Sequence, residues 1–193
     1  MNANYGYTFA KRDYTYYNFR GRFQNADVYI DQRLGDEVRL LGGVNYQAYR
    51  LLDSTLPVKD PKSSIISPYL SFFIQGGNGL NLEVGGRYNR HSKFGSHLTY
   101  SFSASYLPVE TVKFFANVST GFKAPTVTEL FGLFGANPDL RPEQSRNLEG
   151  GVQADLLKKK LSATATVFDR DITNLIAYLG QYVNVDEQHD RGF

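Results

Sequence analysis

Cysteine and tryptophan are absent from this 193-residue chain, and there is one methionine. Without thiols there is no disulfide framework, no thiolate zinc site and no thiol nucleophile. No apolar run approaches the ~18 residues of a spanning helix, which excludes a helical membrane protein. Charge of one sign is missing too: 21 Lys and Arg against 19 Asp and Glu leave a formal net charge of +2. That balance gives no electrostatic reason to expect nucleic acid. The start, Met1 to Tyr5, has neither a basic n-region nor an apolar h-region, so it is not a secretory signal and taken alone favours the cytoplasm. What is abundant is 14 Tyr, 14 Phe and 18 Gly. Such a composition leans toward strands and tight turns.

Alternation runs through nearly the whole chain. Leu98, Tyr100, Phe102, Ala104 and Tyr106 fall on one face, with Thr99, Ser101, Ser103 and Ser105 on the other. Val112, Phe114, Ala116 and Val118 oppose Lys113, Phe115, Asn117 and Ser119. Leu80, Leu82, Val84 and Tyr88 oppose Asn81, Glu83, Arg87 and Asn89, and Val38, Leu40, Val44 and Tyr46 oppose Glu37, Arg39, Leu41 and Asn45. Further runs occupy about 20–34, 65–75, 145–157 and 161–173, with weaker ones near 4–17 and 182–193. Period two over so many segments predicts about nine or ten half-buried strands and no amphipathic helix.

The connections carry more information than the strands. Gly35-Asp36, Gly76–Gly79, Pro108–Thr111 and Lys158–Lys160 are short and carry turn chemistry. They alternate with gaps expected to be longer or more irregular, at about 51–64, 92–96, 123–144 and 174–182. This alternation predicts an all-β, antiparallel up-and-down transmembrane barrel, with turns on one side of the membrane and loops on the other. A soluble sandwich or lipocalin-like barrel is the competing architecture. Against it stand polar faces rich in Ser, Thr, Gly and Asn, and strands matching the ~9–11 residues of a tilted crossing. Tyr46, Tyr49, Tyr88, Tyr106 and Phe122 near strand ends suit the headgroup level.

Catalytic constellations are weak. His91, His97 and His189 are scattered, none with a second histidine at ligand spacing, so no metal site is expected. His91 and His97 could meet across one hairpin. Asp169-Arg170-Asp171 reads as a solvated charge cluster at a strand's outer end, not a catalytic carboxylate pair. Gly76–Gly79 precedes no helix and therefore lacks the context of a phosphate cradle. Lys158–Lys160 reads as a wet turn. The polar-face charges Asp27, Asp31, Arg33, Glu37, Arg39, Glu83, Arg87, Glu149 and Asp155 are of mixed sign. They fit an ion-paired wall against a polar plug, or a plain hydrated wall.

One segment carries a family resemblance. Thr120-Gly121-Phe122-Lys123-Ala124-Pro125-Thr126, then Glu129-Leu130-Phe131, then Asn137-Pro138-Asp139-Leu140-Arg141-Pro142-Glu143-Gln144-Ser145, resembles a signature of TonB-dependent outer-membrane receptors. There a barrel strand ends in Gly-Phe-Arg/Lys-Ala-Pro, a loop ends in Asn-Pro-x-Leu-x-Pro-Glu, and the next strand opens Ser-x-x-x-Glu, matched by Ser145 and Glu149. Val167-Phe168, Ile172, Leu175-Ile176 and the run from Asn184 to Phe193 look similar to the next hairpin. Independently of the resemblance, Pro125 removes a ladder donor, and Pro138 and Pro142 stiffen a long loop.

The resemblance implies a receptor that binds a scarce extracellular nutrient, of iron–siderophore or cobalamin class, and imports it with TonB-coupled energy and no covalent chemistry. The implied location is the outer membrane of a Gram-negative-type bacterium. The implied partners are that nutrient, the lipid bilayer, and the TonB complex through a plug; no cofactor is implied. Family barrels have about 22 strands around a plug. Here residues 1–193 show no plug-like or TonB-box-like sequence, so they are expected to form part of such a barrel. Glu129, Phe131, Phe134, Asn137 and Arg141 are the ligand-facing loop candidates. Haem ranks below the other ligands, because the residues between Pro125 and Asn137 contain no histidine to serve as axial ligand. The rivals are a complete small barrel with an adhesive or structural role and a barrel hydrolase, which needs a nucleophile–base pair within ~3 Å.

Face parity gives two structural expectations, because a one-residue slip flips every side chain. Odd turns should join Leu34 to Val38, Ile74 to Leu80 and Tyr106 to Val112, and an even one Leu156 to Leu161. Arg191 and His189 interrupt the apolar alternation before Phe193, so an open, curved sheet is expected in place of a ladder between Tyr5–Phe9 and Tyr182–Val185.

Overall fold

The structure is a computed structural model, which describes residues 1–193 apart from 16, 17, 53–55, 57, 158 and 159. Ten strands follow one another: β1 (Asn2–Asp13), β2 (Asn18–Leu34), β3 (Val38–Leu51), β4 (Lys62–Gln75), β5 (Leu80–His91), β6 (Gly95–Val109), β7 (Val112–Lys123), β8 (Glu143–Leu156), β9 (Leu161–Tyr178) and β10 (Tyr182–Gly192). They form one ten-stranded antiparallel sheet in sequence order. Among the described residues no ladder joins β1 to β10, so the sheet is open, as the interrupted apolar pattern near the C-terminus predicts.

Register keeps the apolar positions on one face. Val84 lies opposite Phe72 and Phe102, and Val44 opposite Val28 and Pro68. Leu70, Val84, Tyr88, Phe102 and Phe114 on this face are exposed, because no second layer covers it. The opposite face carries Asn45, Ser67, Asn89 and His91, all buried. Apolar outside and polar inside is the reverse of a soluble barrel, and is the polarity of a membrane one.

The turns obey the parity rule. Leu34 pairs with Val38 across three residues, and Leu156 with Leu161 across four, of which 158 and 159 lie outside the described residues. Gln75 pairs with Asn81, which leaves Ile74 and Leu80 on one face. The β6–β7 turn differs from the expected odd loop: Val109 pairs with Val112, and an irregularity between Tyr106 and Val109 absorbs the extra residue. Tyr106 still sits opposite Phe114, so the faces survive.

Several expectations are corrected. The gaps near 92–96 and 174–182 are three-residue hairpins, with His91 opposite Gly95 and Tyr178 opposite Tyr182. Gly95 (φ 75°) and Gly180 (φ 84°) supply the left-handed backbone that lets these turns close so tightly. Asp169-Arg170-Asp171 lies within β9, not at its end. A further correction is a short helix, α1 (Val127–Phe131), where none was expected. Five residues are too few for a periodic pattern to show.

Candidate functional site

Most of the buried apolar side chains among the described residues gather where the long β7–β8 connection meets the wall. Pro125 is fully buried, Val127, Leu130 and Leu140 are 5%, 2% and 2% exposed, and Leu51 of β3 is 7% exposed. A sheet with one lipid-facing and one polar face has no core of its own. This loop makes a small one by folding α1 against β3.

The chain enters the loop through Pro125, which ends the β7 ladder. Thr126 then caps α1. Its Oγ1 accepts from the Glu129 amide at 3.2 Å, and the Glu129 carboxylate accepts from the Thr126 amide at 2.6 Å. This reciprocal capping box is readable in the sequence as Thr-x-x-Glu, a signal the periodicity search passes over. Glu129, expected to face a ligand, is thereby engaged in the cap.

The return half is tied to the neighbouring hairpins. The Asn137 amide donates to Glu129 O at 2.8 Å, its Nδ2 donates to Tyr182 O at 2.9 Å, and its Oδ1 accepts from the Asp139 amide at 3.0 Å. Tyr182 N donates to Gly135 O at 2.7 Å. Asn184 pairs with both backbone groups of Arg141, accepting at 2.8 Å and donating at 3.0 Å. Glu143 Oε1 accepts from Lys123 Nζ and from the Ile176 amide, each at 2.9 Å. On the other flank, Lys93 Nζ donates to Pro138 O at 2.6 Å and lies 5.3 Å from the Phe131 ring centroid. The motif residues thus hold the loop between the β5–β6 and β9–β10 hairpins. Phe134, 59% exposed, and the exposed Arg141 side chain are the candidates that face outward from it.

Beneath the loop, a cleft of about 770 Å³ runs along the inner wall, lined among others by Phe19, Phe23, Tyr49, Ser63, His91 and Thr126. Phe23 stacks on Tyr49 with centroids 4.5 Å apart. Below these, a polar network crosses five strands. Asn45 donates to Asn25 at 2.9 Å, and Arg87 reaches Asn45 at 3.0 Å and Asn89 at 3.1 Å. Ser67 donates to Asn89 at 2.9 Å, and Asn89 to Thr99 at 3.3 Å. Among the described residues no buried polar side-chain atom lacks a partner. Residue-by-residue reading missed this network, although Asn45, Ser67 and Asn89 stand on one row once register is known. Of the predicted wall charges, Asp31 pairs with Arg39 at 2.6 Å and Asp27 accepts from the Tyr69 hydroxyl at 3.2 Å.

The histidines do not converge. His91 closes its own hairpin: Nδ1 accepts from the Lys93 and Phe94 amides at 3.1 and 3.2 Å, which leaves Nε2 to donate to Ser63 Oγ at 2.8 Å. It is the last residue of β5, one step past the outward Arg90 and so beyond the apolar belt. Burial lowers its pKa, assisted by His97 and Lys93. His97 Nε2 bonds Phe94 O at 2.9 Å, and among the described residues no group of metal-ligating side chains forms. His189 bonds Asp171, which also pairs with Arg146; Asp169 pairs with Arg191, and Arg170 with Asp190. The expected charge cluster at Asp169–Asp171 is an ion-pair network.

The family model described as TonB dependent receptor-like, beta-barrel matches residues 1–193. The chain belongs to that family. TonB-dependent receptors are transporters, not enzymes. Similar solved structures include the siderophore receptor PirA from Pseudomonas aeruginosa, at 20% identity and TM-score 0.75, covering 98% of this chain and 43% of that one. A variant of the ferric enterobactin receptor PfeA from P. aeruginosa, in complex with enterobactin, has 22% identity and TM-score 0.73, with 91% and 33% covered. The FrpB iron transporter from Neisseria meningitidis has 17% identity and TM-score 0.70, again with 91% and 33% covered. This TonB-dependent receptor barrel sequence spans about a third to two-fifths of the length of those proteins.

Proposed function

We propose that these strands form part of the wall of a Gram-negative outer-membrane receptor that binds an iron–siderophore and imports it with TonB-coupled energy. The plug that would engage TonB is not recognisable in residues 1–193. The observation that carries this reading is the loop anchored over the upper inner wall, with a cleft of about 770 Å³ beneath it that combines aromatic walls with polar side chains. A fixed loop above a hydrated wall suits non-covalent capture followed by release inward. The structural neighbours named for siderophores and iron favour that ligand class over cobalamin. The loop's lack of a histidine places haem lower still.

Within the loop, Phe134 and Arg141 are the ligand-facing side chains. A flat aromatic and an exposed cation on an anchored backbone suit an anionic ferric complex. Phe131 supports Lys93, while Glu129 and Asn137 set the loop's shape. Titration of the full-length receptor with ferric enterobactin and with cyanocobalamin tests the reading. Saturable binding of the ferric complex, weakened about tenfold by Arg141→Ala, is the expected result. Tighter binding of cyanocobalamin, or no binding of a ferric siderophore, would overturn it.

A further inference from the structure

The wall is not sealed over its whole height. β6 and β7 pair from Val109 and Val112 up to Ser101 and Ser119, and above that point no ladder joins them among the described residues. Their other sides stay paired to the top, β6 with β5 as far as Gly95 and His91, and β7 with β8 as far as Lys123 and Glu143. Thr120 makes the break. Its Oγ1 accepts from the Tyr100 amide at 2.9 Å and donates to the Tyr100 carbonyl at 3.4 Å, the two groups that a ladder partner would engage. Higher up, the His97 and Phe122 rings stack with centroids 4.1 Å apart. His97 lies opposite the inward Asn89, whereas Phe122 keeps the outward parity of Val118, which faces Phe102. Rings from opposite faces of one wall meet here because the strands have parted.

The split joins two spaces. Thr99, Thr120, Gly121 and Phe122 line both the inner cleft beneath the loop and an outer pocket of about 480 Å³. On the β6 side the outer pocket is bordered by Leu98 and Tyr100, both exposed and both continuing the outward apolar row of that strand. On the other side stand Gln144, Thr173 and Arg146, the last already paired with Asp171. Leu98 lies opposite Tyr88, and two residues earlier Ser96 lies opposite Arg90, where the apolar row ends. Unpaired backbone is not tolerated in hydrocarbon, and the split opens close to that boundary. One lip is therefore apolar and faces lipid, the other is polar, and behind both lies the cleft assigned to the ligand.

We infer that this split is a slot for the hydrocarbon tail of an amphipathic ferric siderophore. The iron-bearing head occupies the inner cleft, and an acyl chain passes between β6 and β7 to lie against Leu98 and Tyr100 at the edge of the bilayer. The amide that links chain to head then meets the polar lip at Gln144 and Thr173. The inference rests on the siderophore reading above and narrows its substrate class. A ligand that is polar throughout gains nothing from an opening toward lipid. Burying one methylene is worth roughly fourfold in affinity, so a chain held along about three carbons is expected to bind roughly fiftyfold tighter than the same chelate without it.

The experiment is titration of the full-length receptor in lipid nanodiscs with the ferric complexes of one synthetic tris-catecholate, whose backbone amine carries either an acetyl or a dodecanoyl group. The dodecanoyl ligand should bind tighter by about that factor. Leu98→Gln/Tyr100→Gln should bring the two ligands to equal affinity. Tyr46→Gln, on a strand paired on both sides, should leave the preference intact. On the wild type, independently of how any variant folds, a diazirine near the amide end of the chain should label residues 96–100 or 120–122. A preference that survives the double variant shows chain partitioning into lipid alone and overturns the proposal. Labelling that misses both strands overturns it as well. Equal binding of the two ligands by the wild type defeats this proposal alone, whereas binding of neither defeats the siderophore reading with it.

Discussion

Asn137 commits its amide hydrogen, its side-chain NH₂ and its side-chain oxygen to three different backbone groups. Its place in the loop is structural, which explains why the residue type matters there: the amide side chain donates to Tyr182 O through its nitrogen and accepts from Asp139 N through its oxygen. Asn137→Ala leaves both groups without their partner, at a cost of about 1–3 kcal/mol in loop docking. Hydrogen exchange across 135–142 should accelerate, while the β4–β6 amides stay protected. His91 gives a second residue-scale prediction, with a pH sign. Its folded value lies below the ordinary one because burial disfavours the charged ring. The hairpin stability it contributes is therefore fully present above about pH 6.5 and is lost as pH falls toward the folded value. The Lys93 and Phe94 amides that it accepts from should lose protection below about pH 6.5, after correction for intrinsic exchange. His91→Gln should remove that pH dependence; persistence of the dependence would exclude His91 as its source.

Strand behaviour follows from face parity. Val84 points to the lipid side and Glu83 to the wall's polar side, one residue apart in the same strand. Val84→Arg places a charge at the middle of the apolar belt, where it costs about 2–4 kcal/mol, whereas Glu83→Arg costs much less. Equilibrium refolding of the full-length receptor into lipid vesicles measures both; equal costs would contradict the assigned faces. In the loop, Gly135 has φ 61°, and a Cβ there would come 2.7 Å from Gly180 O and from the Tyr178 ring. Gly135→Val cannot keep the approach, so the loop should separate from the β9–β10 hairpin. Cross-linking of a cysteine pair placed at 137 and 182 should then fail, with the barrel still inserted. Element existence was legible because alternation persists over ten or more residues. Which outer connections are short was not, since Gly95 and Gly180 close hairpins through a backbone angle that any glycine could adopt.

The whole sheet has two edges, β1 and β10, whose outer sides pair with no strand among the described residues. Unpaired ladder groups beside a broad apolar face template association with other chains. Residues 1–193 produced alone should therefore elute from detergent as heterogeneous aggregates. A monodisperse, heat-resistant monomer would show instead that the edges find each other and that the sheet can close. The candidate site obeys the same logic at larger scale, because its cleft and loop anchorage draw on strands far apart in the chain: Asn137 meets Tyr182, and Lys93 meets Pro138.

Alternation, turn chemistry and the Gly-Phe-Lys-Ala-Pro and Asn-Pro-x-Leu-x-Pro-Glu segments determined, without coordinates, that the chain forms antiparallel strands with one lipid-facing side. They also marked where the long loop lies. These are local properties, since side chains on a strand must alternate and proline cannot donate. Only the tertiary structure decided that Glu129 caps a helix, that Asn137 is an anchor, and that Asn45, Ser67, Asn89 and Arg87 form one network. It also decided which outward cations are paired. Each of those facts depends on which residues register brings opposite one another across strands, and cross-strand partners are set by pairing over tens of residues, not by the neighbours of any one residue.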